Sequence, residues 1–98
     1  MDRQQLIETL RELRPQLAAE GVTHLAIFGS RARGDHRPDS DVDLLVEVDP
    51  ATQFSILDLI GVEHRISDRT GARANAVMRR SLKDDFRARI EKDIVEIF

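Results

Sequence analysis

Two short groups of residues in the first half of the chain have types and spacing suited to phosphate chemistry. Gly29-Ser30 follows an apolar run, and the Asp41-x-Asp43 pair begins another. Residues two apart in a strand point to the same face, so Asp41 and Asp43 would place two carboxylates about 6–7 Å apart. Such a pair repels unless a cation lies between its members, and Mg²⁺ binds one or two carboxylates together with substrate phosphates.

The Gly-Ser turn would supply the complementary half of a phosphate site. Glycine lets backbone N–H groups approach a phosphate, the Ser30 hydroxyl donates, and a helix beginning near residues 30–31 would direct its N–H groups at the anion. Arg31 or Arg33 could neutralise phosphate charge, although either residue fits a solvent-exposed loop arginine equally well. An isolated Asp-x-Asp is more often a surface pair, and its combination with the Gly-Ser turn makes the pattern specific.

The surrounding periodicity predicts a small α/β domain with the element order helix, strand, loop, strand, helix, strand, helix. A first helix over residues 3–19 should kink or restart at Pro15, which lacks an N–H. Strands are predicted over 23–28, 42–48 and 73–78, and a twelve-residue polar connector joins the first two. The predicted order puts both chemical motifs at strand ends.

Two further helices are predicted in the second half. Thr52 should cap the first of them, which runs to about Thr70 and stops at Gly71. Its periodic stripe consists of Phe54, Leu57, Ile60 and His64. A Ser81-x-x-Asp84 capping pattern should begin the second helix. That helix carries Leu82, Phe86, Ile90, Ile94 and Ile97 at helical spacing.

Composition narrows the classes of partner. The 98 residues suit one domain, spanning 1–98, and the absence of cysteine excludes disulfides and thiolate chemistry. A net charge of −3, four phenylalanines and no tyrosine or tryptophan disfavour a polynucleotide partner. No segment has the length or apolarity of a signal peptide or membrane span, so we expect a cytoplasmic protein that does not bind membranes.

The segments Gly29-Ser30, Arg33-Gly34 and Ser40-Asp41-Val42-Asp43-Leu44 together resemble the signature of a known family. They are similar to the minimal nucleotidyltransferases of the DNA polymerase β superfamily, which occur in HEPN/MNT toxin–antitoxin pairs. The resemblance covers nearly the whole chain and implies an α+β fold with a mixed sheet of three or more strands.

The resemblance also implies a site and its partners. Gly29 and Ser30 would hold a nucleoside triphosphate, with ATP expected, and Asp41 and Asp43 would ligate two Mg²⁺ ions when nucleotide is bound. A third carboxylate on the next strand would complete the metal site and help to deprotonate the acceptor. The implied acceptor is a hydroxyl on a HEPN-family partner protein, which would receive AMP.

The third strand departs from the family pattern. Asn75 stands where the third catalytic carboxylate is expected, and an amide carries no charge and cannot accept the acceptor's proton. Glu47 would lie about 13 Å along the strand from Asp43, and Asp68 is a remote substitute. Two functions therefore stay open, an NMP-transferring antitoxin and an impaired antitoxin that neutralises its partner by binding alone. Homo-oligomerisation also stays open.

Overall fold

The computed structural model describes residues 1–98 as one four-stranded sheet with five helices. In chain order the elements are α1 (Arg3–Glu12), α2 (Arg14–Ala19), β1 (Val22–Phe28), α3 (Ser30–Arg33), β2 (Val42–Val48), α4 (Ile56–Thr70), β3 (Ala74–Met78), α5 (Asp84–Ile90) and β4 (Val95–Glu96). Single 3₁₀ turns at Arg79–Ser81 and Glu91–Asp93 flank α5. None of the helices is long and apolar enough to cross a bilayer.

The sheet is mixed, with strand order β3-β2-β1-β4. Strand β1 runs antiparallel to β2 and β4, whereas β2 and β3 are parallel. The register places Asp43 between Phe28 of β1 and Asn75 of β3. The end of β1 and the beginnings of β2 and β3 therefore meet at one place, and the predicted fold class is confirmed.

Each face of the sheet has its own apolar layer. On one face the buried side chains of Leu25, Ile27 and Leu44 pack with those of α1, α2 and α4. On the opposite face Leu45 and Phe28 pack against α5. Because side chains alternate along a strand, Asp43 projects on the same face as Leu45, beside the layer that α5 covers.

The first helical segment breaks where proline predicts it. Helix α1 ends at Glu12 and α2 begins at Arg14, with Pro15 in the first turn of α2, where its missing N–H removes no intrahelical bond. The Asp2 carboxylate caps α1 by accepting a 2.8 Å hydrogen bond from the Gln5 N–H. The broken pair still presents one apolar row to the core, namely Leu6, Leu10, Leu13 and Leu17.

Helix α4 begins later than predicted, so the proposed cap at Thr52 is wrong. The Ser55 hydroxyl caps the helix and accepts from the Asp58 N–H at 3.3 Å, while the Asp58 carboxylate accepts from the Ser55 N–H at 2.7 Å. This reciprocal pair satisfies two backbone donors at once. Thr52 instead lies in the turn after β2, where its N–H donates to the Asp49 carbonyl. The predicted stop at Gly71 is confirmed by its left-handed φ of 73°.

Two apolar stripes run along α4, and only one is buried. Leu59, Val62 and Ile66 face the core. The stripe that contains Leu57 and Ile60 faces solvent, with 75% and 38% of these residues exposed. Both stripes fit helical periodicity, so spacing alone could not identify the packing face.

The end of the chain is a strand, so the helix predicted through Ile97 is wrong. Helix α5 stops at Ile90 and begins after Lys83 without a side-chain cap, which also contradicts the predicted Ser81 cap. Val95 and Glu96 pair with β1, and the Ile97 N–H donates to the Leu25 carbonyl at 2.8 Å. The free edge of β1 requires hydrogen-bonding partners, and this requirement outweighs the local helical spacing.

Helix α4 also covers the outer edge of β3. The Ala74 N–H donates to the Ser67 hydroxyl at 3.0 Å, and the Ala76 N–H donates to the Glu63 carboxylate at 2.7 Å. Ser67 and Glu63 lie one turn apart on α4, and the two donors lie two residues apart on β3. The two elements are therefore fixed in register by side chains as well as by apolar packing.

The two stripes of α4 predict opposite effects of one substitution type. Leu59→Ala should lower the free energy of unfolding by about 2–4 kcal/mol, because Leu59 is buried and its truncation leaves a cavity. Leu57→Ala, on the same helix but exposed, should change it by less than about 0.5 kcal/mol. Urea unfolding of both variants tests this, and equal losses would contradict the assigned packing face.

Candidate active site

The carboxylate pair lies where β2 begins. Asp41 immediately precedes the strand and Asp43 is its second residue, and both are half-buried. Asn75, opposite Asp43 on β3, donates from its amide nitrogen to Asp41 Oδ2 at 2.8 Å. The structure thus brings together all three residues that the sequence assigns to the catalytic centre.

The electrostatics at Asp43 disfavour its ionised form. Burial, above all, raises the pKa of Asp43, and the neighbouring charge of Asp41 adds to the rise. The Asn75 amide and the Arg33 guanidinium oppose this rise in pKa. A cation bound between Asp41 and Asp43 would stabilise the ionised carboxylates, because it would offset the repulsion between them.

The backbone of Gly29 lies close to the Asp43 side chain. Its φ of 76° lies in the left-handed region that side chains disfavour. A Cβ placed on Gly29 would lie 2.6 Å from Asp43 Oδ2, well inside contact distance. The glycine is therefore required for two separate reasons, its backbone conformation and the position of the Asp43 carboxylate.

Arg31 holds the connector between the two motifs. It is the one buried charged residue of the chain, 5% exposed, and its guanidinium donates to the Ser40 carbonyl at 2.8 and 3.0 Å and to that of Pro38 at 3.4 Å. The Ser40 hydroxyl in turn accepts from the Arg37 N–H at 2.8 Å. These bonds fix the backbone next to Asp41, so the contacts of Arg31 are those of a positioning residue.

Arg33 follows Arg31 by two residues and is exposed. Its guanidinium donates to Asp35 and to Asp93, each at 3.1 Å. Hydrogen bonds to these two carboxylates raise the pKa of Arg33 above its ordinary value. The nucleotide-binding roles of Gly29, Ser30, Arg31 and Arg33 stay predictions, and a phosphate at Arg33 would have to compete with two carboxylates.

Asp41 and Asp43 fit a divalent cation whose remaining coordination positions are filled by other ligands. Asp41 and Asp43 offer oxygen donors of the kind that Mg²⁺ prefers. No group of three or more acidic, histidine or cysteine side chains that could hold a metal gathers anywhere in the chain, and at the carboxylate pair the third position is Asn75. Glu47 accepts from Arg79 at 3.3 Å further along β2, and Asp68 lines a different cleft with Arg65 and Arg69.

Comparison with known proteins agrees with this geometry. The model of the nucleotidyltransferase domain matches residues 3–97, which is almost the entire chain. The chain belongs to the nucleotidyltransferase domain family. Membership of this family agrees with the presence of a Gly-Ser turn and a carboxylate pair at neighbouring strand ends.

Individual relatives support the family assignment. The chain is 33% identical over 87 residues to the protein adenylyltransferase MntA of Thermococcus cleftensis, covering 89% of this chain and 83% of the relative. A solved structure described as a minimal nucleotidyltransferase shares 31% identity and a TM-score of 0.77, covering 97% of this chain and 95% of the other. A toxin–antitoxin structure with AMP-PNP shares the fold, with 16% identity and a TM-score of 0.67, and covers 100% of this chain and 73% of the other.

Sequence reasoning missed one residue close to the site. Asp93 lies sixty positions from Arg33 and binds it through the 3₁₀ turn after α5. The prediction of a continuous helix through this region concealed the turn. No local pattern marks Asp93, since its role depends only on tertiary proximity.

Two glycines provide a matched test of the close approach. Gly29→Ala should displace the Asp43 carboxylate and weaken binding of MgATP by about tenfold or more, because the new Cβ would lie only 2.6 Å from Asp43 Oδ2. Gly34 also has a positive φ, of 86°, but has open space where a Cβ would be added. Gly34→Ala should therefore incur only the conformational cost, about 1–2 kcal/mol of stability.

Calorimetric titration of both variants, with thermal unfolding as a folding check, separates the two effects. Equal nucleotide affinity in Gly29→Ala and Gly34→Ala would contradict a specific role for the contact between Gly29 and Asp43.

Proposed function

We propose that residues 1–98 form a single Mg²⁺-dependent nucleotidyltransferase domain that transfers AMP from ATP to a hydroxyl on a partner protein. The observation that carries this proposal is the placement of Asp41 and Asp43 where β2 begins, with Asp43 close to the backbone of Gly29. The relative named as a protein adenylyltransferase supports the choice of AMP and of a protein acceptor.

The chain's own groups would divide the work of binding. Gly29 and Ser30 would take the triphosphate, because a glycine next to the carboxylates leaves room for a phosphate to approach the backbone. Arg31 would keep the connector in place through Ser40 and thereby hold Asp41 at the strand end. Arg33, the exposed arginine nearest to this turn in sequence, would contribute positive charge towards the phosphates.

Asp41 and Asp43 are the residues that would hold Mg²⁺, two ions when nucleotide is bound. When bound, the metal would neutralise phosphate charge and lower the pKa of an attacking hydroxyl. Without a metal, the amide N–H of Asn75 donates to Asp41 and offsets part of the negative charge there. Metal binding would thus replace one hydrogen bond at Asp41.

The partner we propose is a HEPN-family toxin, which the chain would neutralise as its antitoxin. Two considerations favour this partner: the family signature in the sequence, and the shared fold with a toxin–antitoxin structure. The acceptor hydroxyl would belong to the toxin, and modification would block its activity.

One observation favours a second function, neutralisation by binding alone. The third position of the site holds Asn75, which can present an amide oxygen but cannot accept a proton. A site with two carboxylates and one amide would retain nucleotide and lose turnover. The two functions differ in one measurable quantity, the rate of AMP transfer.

Nucleotide binding tests the carboxylate pair. Asp41→Ala and Asp43→Ala should each weaken MgATP binding by about a hundredfold, or ~3 kcal/mol, because each removes a metal ligand. Asp39→Ala is a matched control, since Asp39 is exposed, makes no hydrogen bond and lies two residues from Asp41. Calorimetry with and without Mg²⁺ measures the effect. Equal affinities in all three variants would refute the proposed site.

Transfer of labelled AMP tests catalysis. Asn75→Asp should raise the rate of transfer from ATP to a copurified partner roughly 10²–10³-fold, because it restores a charged ligand and a proton acceptor. Asn75→Ala, which supplies neither group, is the control and should give no gain. Self-labelling is a poor substitute assay, because the chain has no tyrosine and only serine or threonine hydroxyls.

The outcomes separate the two functions. Transfer that is undetectable in wild type and in Asn75→Asp, while MgATP still binds, would establish neutralisation by binding alone. Fast transfer in wild type with no gain in Asn75→Asp would show that Asn75 does not limit catalysis.

A further inference from the structure

The largest cleft of the protein, about 560 Å³, lies at the opposite end of the parallel strands from the carboxylate pair. The last residues of β2 and β3 form part of it, whereas Asp43 and Asn75 lie near the first residues of the same strands. Four residues of strand separate Asp43 from Glu47, or about 13 Å. The cleft therefore shares no side chain with the candidate active site.

Three arginines line this cleft, and two of them are unpaired. The Arg79 guanidinium donates to Glu47 at 3.3 Å and to Glu96 at 3.2 Å, and these bonds restrain it. Arg80 and Arg87 are exposed, and their guanidinium groups make no hydrogen bond or ion pair with the protein. The only carboxylate that lines the cleft, that of Glu47, is already hydrogen-bonded to Arg79.

The rest of the cleft is partly apolar. The side chains of Val48, Pro50 and Met78 contribute to its lining, and Val48 and Met78 are half-buried. A cleft of several hundred Å³ with an apolar wall and a few charged groups has the usual character of a small-molecule site. Guanidinium groups match phosphate oxygens in geometry and charge.

We propose that this cleft is a second ligand site, which binds an organic phosphate without a metal ion. The free guanidinium groups of Arg80 and Arg87 would hold the phosphates, and the apolar wall would take the body of the ligand, such as a nucleobase. The cleft offers no free carboxylate to bind a cation, so binding there is independent of Mg²⁺. Independence from Mg²⁺ distinguishes this cleft from the proposed nucleotide site at Asp41 and Asp43.

Calorimetry in EDTA tests the proposal with ATP, tripolyphosphate and adenosine as probes. ATP should bind more tightly than tripolyphosphate because of the apolar wall, and adenosine should not bind measurably. Arg80→Gln/Arg87→Gln should weaken ATP binding by about a hundredfold, since each lost charged contact is worth about tenfold. Asp41→Ala/Asp43→Ala should bind ATP in EDTA as wild type does.

A matched control removes the same charge elsewhere. Arg3→Gln/Lys92→Gln alters two exposed, unpaired basic residues outside the cleft and should leave affinity unchanged. Circular dichroism verifies that every variant is folded. Wild-type affinity in Arg80→Gln/Arg87→Gln, equal affinities for ATP and tripolyphosphate, or a loss of binding in Asp41→Ala/Asp43→Ala would each overturn the proposal. None of these results depends on Mg²⁺, so failure here is distinct from failure of the proposed transferase activity.

Discussion

Asp43 pairs with Asn75 in the parallel register of β2 and β3, and the positions of the other site groups depend on that pairing. A shift of one residue would turn Asn75 to the other face of the sheet, away from both carboxylates. The register is fixed from two sides. The Val42 N–H donates to the Arg73 carbonyl at 2.8 Å where the ladder begins, and α4 binds the outer edge of β3. A small sheet thus positions polar groups that repel one another.

The groups that suit the site for function also lower the stability of the fold. Two half-buried carboxylates close together oppose folding, and burial disfavours the charge on Asp43. The Asn75 amide and the Arg33 guanidinium offset part of that cost without a metal. An asparagine at the third position consequently adds no repulsion to that of the two carboxylates, whereas a third carboxylate would.

Most of what local chemistry determines could be predicted from the sequence. The break at Pro15, the stop at Gly71 and the three first strands follow from backbone constraints and apolar runs. The meeting of the two motifs follows from a known family signature. The misses share a different cause. Tertiary contacts determine the strand at Val95, the buried face of α4 and the hydrogen bonds of Arg31 to the connector. Residues that are neighbours in sequence do not indicate these contacts.

The side chains that α4 lends to β3 limit how other molecules can recognise the sheet. An edge strand usually offers a row of unpaired main-chain groups onto which a second chain can add as a further strand. Here two of those donors, at Ala74 and Ala76, are already occupied by Ser67 and Glu63. Cross-β growth from this edge would first have to break two internal hydrogen bonds. A molecule that binds at this edge would therefore depend more on contacts with side chains than on hydrogen bonds to the backbone of β3.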